Sequence, residues 1–161
     1  KRLMATTMSR AEYLASFVIS RFVLLVIEVL VLVGFAALVF GVPLRGSLLQ
    51  LALICSLGAL VFGALGLLIA ARPRTIEGAS GLMNLAMLPM WILSGVFFSS
   101  ENFPAAIQPL VQALPLTAVN DALRANMLRG AGLGVVMPEL AIITVWTIVC
   151  FVLALKMFRW R

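Results

Sequence analysis

Histidine is absent from the 161 residues, which removes Ser-His-Asp and Cys-His nucleophile systems and His-ligated zinc together. The two cysteines, Cys55 and Cys150, stand alone inside apolar runs without CxxC spacing. They read as buried thiols that pack like small hydrophobes. Glu28, Glu77, Glu101, Asp121 and Glu139 form no close pair in sequence, so the acid–base constellation that proteolysis or lipid chemistry needs is missing. Met83, Met87 and Met90 carry thioethers of the kind that suit Cu(I), but methionine in an apolar helix ordinarily serves packing. No catalytic residue and no metal ligand is expected in this chain.

Glu28 carries a different kind of chemistry. It sits in the middle of an apolar run, and a carboxylate at mid-bilayer costs about 2.5–3.5 kcal/mol on insertion scales. The eleven Leu, Val, Ile and Phe residues of 22–33 return roughly 3–7 kcal/mol on the same scale, so the helix inserts. Its carboxyl is then expected to face protein or water. It lines or gates a polar pathway, or pairs with a cation of another span, or is a protonated, hydrogen-bonded packing group. A second candidate wall comes from Ser80, Asn84, Met87, Trp91, Ser94 and Phe98, which share one helical face by the 3.6-residue period. It is the most polar face of its helix and is expected to look inward, as a pathway wall or as a packing face. Pro89 and Gly95 predict a kink or break near the end of that helix.

Elements able to hold such residues follow from the composition. Hydrophobic residues make up 63% and charged ones 11%, with a mean hydropathy of +1.16, whereas soluble domains are roughly 45–50% apolar and about 25% charged. So few charges cannot coat a water-facing surface, and a soluble globular domain is excluded. The net charge of +6 does not indicate a nucleic-acid partner, because the basic residues fall in short clusters between apolar runs. Four runs reach the length of about 20 residues that a bilayer demands: 17–40, 48–71, 79–98 and 139–157. If they alternate, Lys1, Arg2, Arg10, Arg21, Arg72, Arg74, Lys156, Arg159 and Arg161 share one side, against Arg45, Arg124 and Arg129 on the other. That bias puts both ends in the cytoplasm of an integral plasma (bacterial inner) membrane protein. Residue 1 is Lys and no signal peptide is legible, so the chain reads as part of a longer protein.

The expected fold is therefore all-α, a polytopic membrane helix bundle forming a single domain over 1–161. A stripe of small residues in the second span (Ala52, Cys55, Ser56, Ala59, Gly63, Gly66, Ala70) predicts close helix packing. The outer connection, 99–138, contains four prolines and two amphipathic pieces. Ile107, Leu110, Val111 and Leu114 mark the first; Leu116, Val119, Leu123 and Met127 mark the second, with Asn120, Asp121 and Arg124 on its other face. Two short helices, interfacial or re-entrant, fit this pattern. The opening stretch, 1–16, is basic and amphipathic, suited to anionic lipid or to a cytoplasmic partner.

These segments resemble the membrane domain of type-2 ATP-binding-cassette (ABC-2 type) transporters. The resemblance is carried by Lys-Arg-Leu-Met-Ala-Thr-Thr-Met-Ser-Arg-Ala-Glu-Tyr (1–13), Phe-Gly-Val-Pro-Leu-Arg-Gly-Ser (40–47) and Ala-Ala-Arg (70–72). It continues in Leu-Pro-Met-Trp-Ile-Leu-Ser-Gly-Val-Phe-Phe (88–98), Phe-Pro-Ala (103–105), Leu-Pro-Leu-Thr (114–117) and Asp-Ala-Leu-Arg (121–124). Order and spacing match along nearly all of the chain, although Thr7 stands where the family usually has Pro.

The resemblance implies a permease subunit of an exporter, with this chain supplying spans three to six of one half. ATP and Mg would sit on a separate or fused cytoplasmic ATPase, and no cofactor on this chain, which has no Walker glycine loop. The second half would be another permease, as a homodimer. Lys1, Arg2, Met4, Arg10, Glu12 and Tyr13 would form the surface that couples to the ATPase. Glu28, Asn84, Met87, Trp91, Ser94 and Phe98 would line the pathway. The outer helices, with Phe97, Phe103, Pro104, Pro115, Asp121 and Arg124, would cap its exit. The competing reading is a non-transporting membrane anchor or assembly subunit that uses the same fold.

Overall fold

The computed structural model describes residues 10–71, 73, 75–96 and 103–157, with backbone alone at 10–19. Lys1, Arg2, Met4, Phe97 and Phe98 lie outside the described residues, as do the side chains of Arg10, Glu12 and Tyr13. The described residues are helical without strand: α1 (Arg10–Phe40), α2 (Leu48–Ala70), α3 (Ile76–Leu93), α4 (Gln108–Ala113), α5 (Pro115–Met127) and α6 (Leu133–Met157). Four of these, α1, α2, α3 and α6, contain stretches long and apolar enough to cross a membrane. The molecule is an all-α, polytopic membrane helix bundle, and it divides into two compact units, 1–42 and 43–161.

The first unit is α1. The helix is continuous from Arg10 into the apolar stretch Ser20–Phe40. Gly41 ends it with a left-handed φ of 63°, which lets the Val42 amide reach back to the Ala36 carbonyl (3.2 Å). Glu28 is exposed on this helix.

The second unit is built on α2 and α6, which run in the same direction. Ile54 and Val61 pack with Val136, Leu140 and Ile143, while Ala64, Leu65 and Ile69 share a second cluster with Cys150. Helix α5 lies against both, through Ala118, Val119, Ala122 and Ala125. Helix α3 joins the second cluster through Met90, its one buried residue. Its start is set by Thr75, whose hydroxyl accepts from the Gly78 amide (3.1 Å), with Glu77 in the positive first turn. Hydroxyls inside the spans are satisfied within their own helices: Ser56 on Ala52 O, Thr144 on Leu140 O and Thr147 on Ile143 O.

Several expectations about faces need correction. The small-residue stripe of α2 is its open side, with Ala52, Ala59, Gly63 and Ala70 exposed; Leu51, Ile54, Gly58, Val61, Ala64, Leu65 and Ile69 are the buried ones. In α5 the buried side is made of alanines together with Val119, and Leu116, Leu123 and Met127 are only half-buried. Lipid is as apolar as leucine, so nothing drives the larger side chains inward, while alanine lets three helices approach closely. In α4, Val111 is buried but Leu110 is 60% exposed. Helix α6 begins at Leu133, ahead of the expected Glu139, with Pro138 in its second turn. There the proline costs one intrahelical bond, which does not stop the helix.

Because Ala122 is fully buried where α5 meets α2 and α6, Ala122→Leu is expected to destabilise the unit by about 1–3 kcal/mol through overpacking. A lower detergent-melting temperature for this variant, with Leu123→Ala closer to wild type, checks it.

Candidate functional site

The connection between α3 and α6 folds into the membrane domain instead of crossing over it. At its start the Pro104 carbonyl accepts from the amides of Ile107 (2.9 Å) and Gln108 (3.3 Å), and the Gln108 side chain donates to Phe103 O (3.4 Å). Pro109 occupies the first turn of α4, where its missing N–H is no loss. Leu114 ends α4 and starts α5 in an extended conformation (φ −71°, ψ 136°), as a residue before proline must. Pro115 then opens α5 and is buried. This break leaves the Ala113 carbonyl without a helical partner, and the Trp146 indole donates to it at 2.7 Å. Trp146 lies near the middle of α6, so the α4–α5 turn reaches about half-way into the bundle. From there α5 returns beside α2 and the first part of α6.

The polar face of α5 holds the end of α3. Helix α3 stops at Leu93, where the Ser94 amide still bonds Met90 O (2.9 Å) and Gly95 turns to a φ of 77°. The expected break therefore occurs as a helix end. Asn120 donates to Ser94 O (3.3 Å) and the Arg124 guanidinium to Gly95 O (2.6 Å). A cation there meets the negative end of the α3 dipole. Asp121 sits 3.8 Å from Arg124 one turn earlier; with side chains 44% and 33% exposed, this ion pair adds at most about 1 kcal/mol and chiefly orients the guanidinium.

The other end of α5 clasps the loop before α2. The Arg45 amide donates to Met127 O (3.1 Å), the Asn126 side chain to Ser47 O (3.3 Å), and the Gln50 side chain to Ala131 O (3.1 Å). Gly46 is required here, since a Cβ would overlap the side-chain and backbone oxygens of Asn126. Gly130, at φ 62°, turns the chain so that Ala131 N bonds Ala125 O (2.9 Å), and a Cβ on it would press on Arg45. Short as it is, α5 ties together the ends of α2, α3 and α6.

Away from this cap, α2 and α3 leave an open cleft of about 300 Å³ lined by Gly66, Ile69, Ala70, Ala79, Ser80, Met83 and Asn84. Its walls are mostly apolar, with Ser80 and Asn84 as the polar groups. The predicted pathway face of α3 is thus divided. Asn84 lines the cleft, Met87 is half-buried, Trp91 is 53% exposed, and Ser94 is fully buried in the cap with its hydroxyl donating to Trp91 O (3.2 Å). Glu28 belongs to the other unit. Of the predicted cap residues, Arg124 and Asp121 meet in one cluster; Pro115 forms the turn beneath it, and Phe103 and Pro104 start the hairpin. Sequence reasoning passed over Asn126, Gln50 and Trp146. A lone polar residue inside an apolar run and an indole N–H at mid-span were the available signals, since each needs a partner when buried. Among the described residues there is no group of His, Cys, Asp and Glu that could hold a metal ion.

The ABC-2 type transporter family profile matches residues 1–128. The chain is 33% identical over 129 residues to the "Probable multidrug ABC transporter permease YbhS" of Escherichia coli (strain K12), covering 80% of this chain and 34% of the relative. To the "Inner membrane transport permease YhhJ" of the same organism it is 29% identical over 137 residues, 85% of this chain and 37% of the relative. To the "Linearmycin resistance permease protein LnrN" of Bacillus subtilis (strain 168) it is 27% identical over 158 residues, 98% of this chain and 41% of the relative. The chain thus spans well under half the length of these curated relatives. No solved structure gives a significant match.

If Arg124 holds the α3 terminus, Arg124→Ala raises the labelling rate of a cysteine placed at Val96 several-fold. Arg124→Lys, which keeps a cation near Gly95 O, stays between the two. Equal labelling in all three backgrounds would show that the contact does not hold the terminus.

Proposed function

The chain belongs to the ABC-2 type transporter family, and on that premise we propose that it forms part of the translocation pathway of an exporter driven by a cytoplasmic ATPase. The observation that carries this reading is the re-entrant α5. It closes one end of the bundle with a few exchangeable hydrogen bonds, above a cleft that stays open between α2 and α3. A barrier of that kind suits a pathway that opens at one side of the membrane at a time. With both ends of the chain cytoplasmic, the α5 cap faces outward and the connection from α2 to α3 inward.

Coupling is supported by α1. Arg10, Glu12 and Tyr13 stand in its first turn, and the helix runs unbroken to Phe40. A displacement at an ATPase surface formed by these residues with Lys1, Arg2 and Met4 would be carried along the rod. ATP and Mg bind on the partner ATPase, and two permease halves, as a homodimer, enclose the path. Closure of the ATPase biases the two membrane states only through its different affinity for them. The relatives named as a probable multidrug permease and a linearmycin resistance permease favour a drug-like compound as cargo, moved outward. Phe97 and Phe98, with Trp91, then border the exit, and Asn84 and Met87 the entry.

The test is the ATPase activity of the full-length permease co-purified with the ATPase encoded beside it. The exchange Arg10→Glu/Glu12→Arg is expected to cut that activity by an order of magnitude or more while the permease still folds. A complex indifferent to the exchange would favour a membrane anchor over a driven pathway.

A further inference from the structure

We infer that the polar face of α5 is a binding site for the carbonyl groups of an uncharged cargo, an assignment that deepens the exporter reading above and rests on it. The helical period sets Thr117, Asn120, Asp121 and Arg124 on one side of α5, apart from the alanines that meet α2 and α6. Two of these four already hold carbonyls just after α3: Asn120 donates to Ser94 O (3.3 Å) and Arg124 to Gly95 O (2.6 Å). Thr117 is the exception. It is 1% exposed, and its hydroxyl oxygen has no hydrogen-bond partner among the described residues. A hydroxyl sealed from water without a partner lacks a hydrogen bond that the unfolded chain would make. The end of α3 thus satisfies two donors in a row of three.

The third donor identifies what else the row can hold. From Thr117 to Arg124 is about 10 Å along the helix, so the row addresses several acceptors spread over that length. The two donors in use read the oxygens of uncharged carbonyls. A charged ligand of either sign meets a like charge in the Asp121–Arg124 pair, whose groups are 3.8 Å apart. A neutral compound with several ester, amide or ketone carbonyls fits the row, and it can make one hydrogen bond more than the two carbonyls of α3 make. Arg124 and Asp121 are partly exposed, so such a compound first reaches the row from their side. By taking the donors of Asn120 and Arg124 it frees the end of α3, and Thr117 supplies the bond that α3 leaves unmade. Binding of cargo and release of the α3 end are then one competition for the same donors.

Tributyrin and glycerol tributyl ether share a skeleton, but only the first carries carbonyls. Both are applied to the full-length permease with its ATPase in lipid nanodiscs, with a cysteine at Val96 as reporter. Binding is measured directly, and ATPase activity alongside. Tributyrin is expected to raise the labelling rate several-fold over that without ligand, and the ether to leave it nearly unchanged. Thr117→Val, which keeps the branched shape and removes the hydroxyl, is expected to weaken tributyrin binding about fivefold, the effect of one neutral hydrogen bond. It should melt no lower than wild type, because no bond of the closed arrangement is lost. Thr117→Ser should restore the affinity. Equal responses to ester and ether, or unchanged tributyrin affinity in Thr117→Val, would overturn the assignment. So would a lower melting temperature for Thr117→Val, the mark of a hydroxyl already partnered in the closed arrangement. Tributyrin binding that depends on Thr117, with an ATPase indifferent to it, would support the site and count against the exporter reading alone.

Discussion

A bilayer offers no water to an unpaired backbone group, and the placement of the α4–α5 turn in the second unit goes with how one such group is satisfied. A helix that stops half-way through a membrane leaves carbonyls that cost several kcal/mol each if nothing meets them. The Leu114–Pro115 break creates that situation. Leu114 N still bonds Val111 O (3.3 Å), and the Trp146 indole supplies the remaining donor to Ala113 O. Without Trp146 the Ala113 carbonyl would lose that donor, and only the packing of Ala118, Val119, Ala122 and Ala125 would hold α5 beside α2 and α6. The indole N–H thus makes the break compatible with the depth at which α5 packs.

Once α5 is held at that depth, its two kinds of face do different work. The alanine face allows close approach, so that Gly58 lies under the Val119 methyls at the distance where a Cβ would make ordinary contact. The polar face and the helix end then meet backbone carbonyls: Ser94 and Gly95 after α3, Ser47 from the loop before α2. The Ser94 and Gly95 carbonyls are released by the end of α3, whereas the Ser47 carbonyl already accepts from the Leu51 amide (3.0 Å); each is met by a side-chain donor of α5. An apolar helix in the same place would leave the first two without these donors.

The spans, the two short helices between α3 and α6 and a break near Gly95 were legible because prolines, glycines and run lengths act locally. Proline lacks an N–H and glycine tolerates positive φ whatever surrounds them. The packing faces were not legible, and the reason is solvent. In water, apolar periodicity separates the inside from the outside; in lipid both sides of α2 are apolar, and its open stripe of small residues and its buried Leu51–Ile54–Val61 side look alike to a periodicity argument. The polar contacts show the same asymmetry. Arg124 and Asp121 drew attention by charge and by their place in a recognisable segment. Trp146 and Gln50 did not, because what they serve is a carbonyl far away in the chain.

Under the exporter reading, the contact between α5 and the end of α3 also has a strength suited to opening. Helix α3 is anchored in its unit by the cluster around Met90 and by the Asn120 and Arg124 bonds. A neutral hydrogen bond contributes about 0.5–1.5 kcal/mol net and one to a charged group about 1.5–3, so the two together supply about 2–4 kcal/mol. Moving a two-state equilibrium from 1:99 to 99:1 takes about 5.5 kcal/mol of differential binding. In the exporter proposed above, a latch of half that size would keep the end closed at rest, and a partner that favours the released arrangement by a few kcal/mol would open it. A fully buried ion pair in the same position would not share this property, because breaking it would leave an uncompensated charge in low dielectric. Partial exposure of Arg124 and Asp121 lets water take over each bond as the helices part, and the contact can form and break repeatedly without a desolvated intermediate.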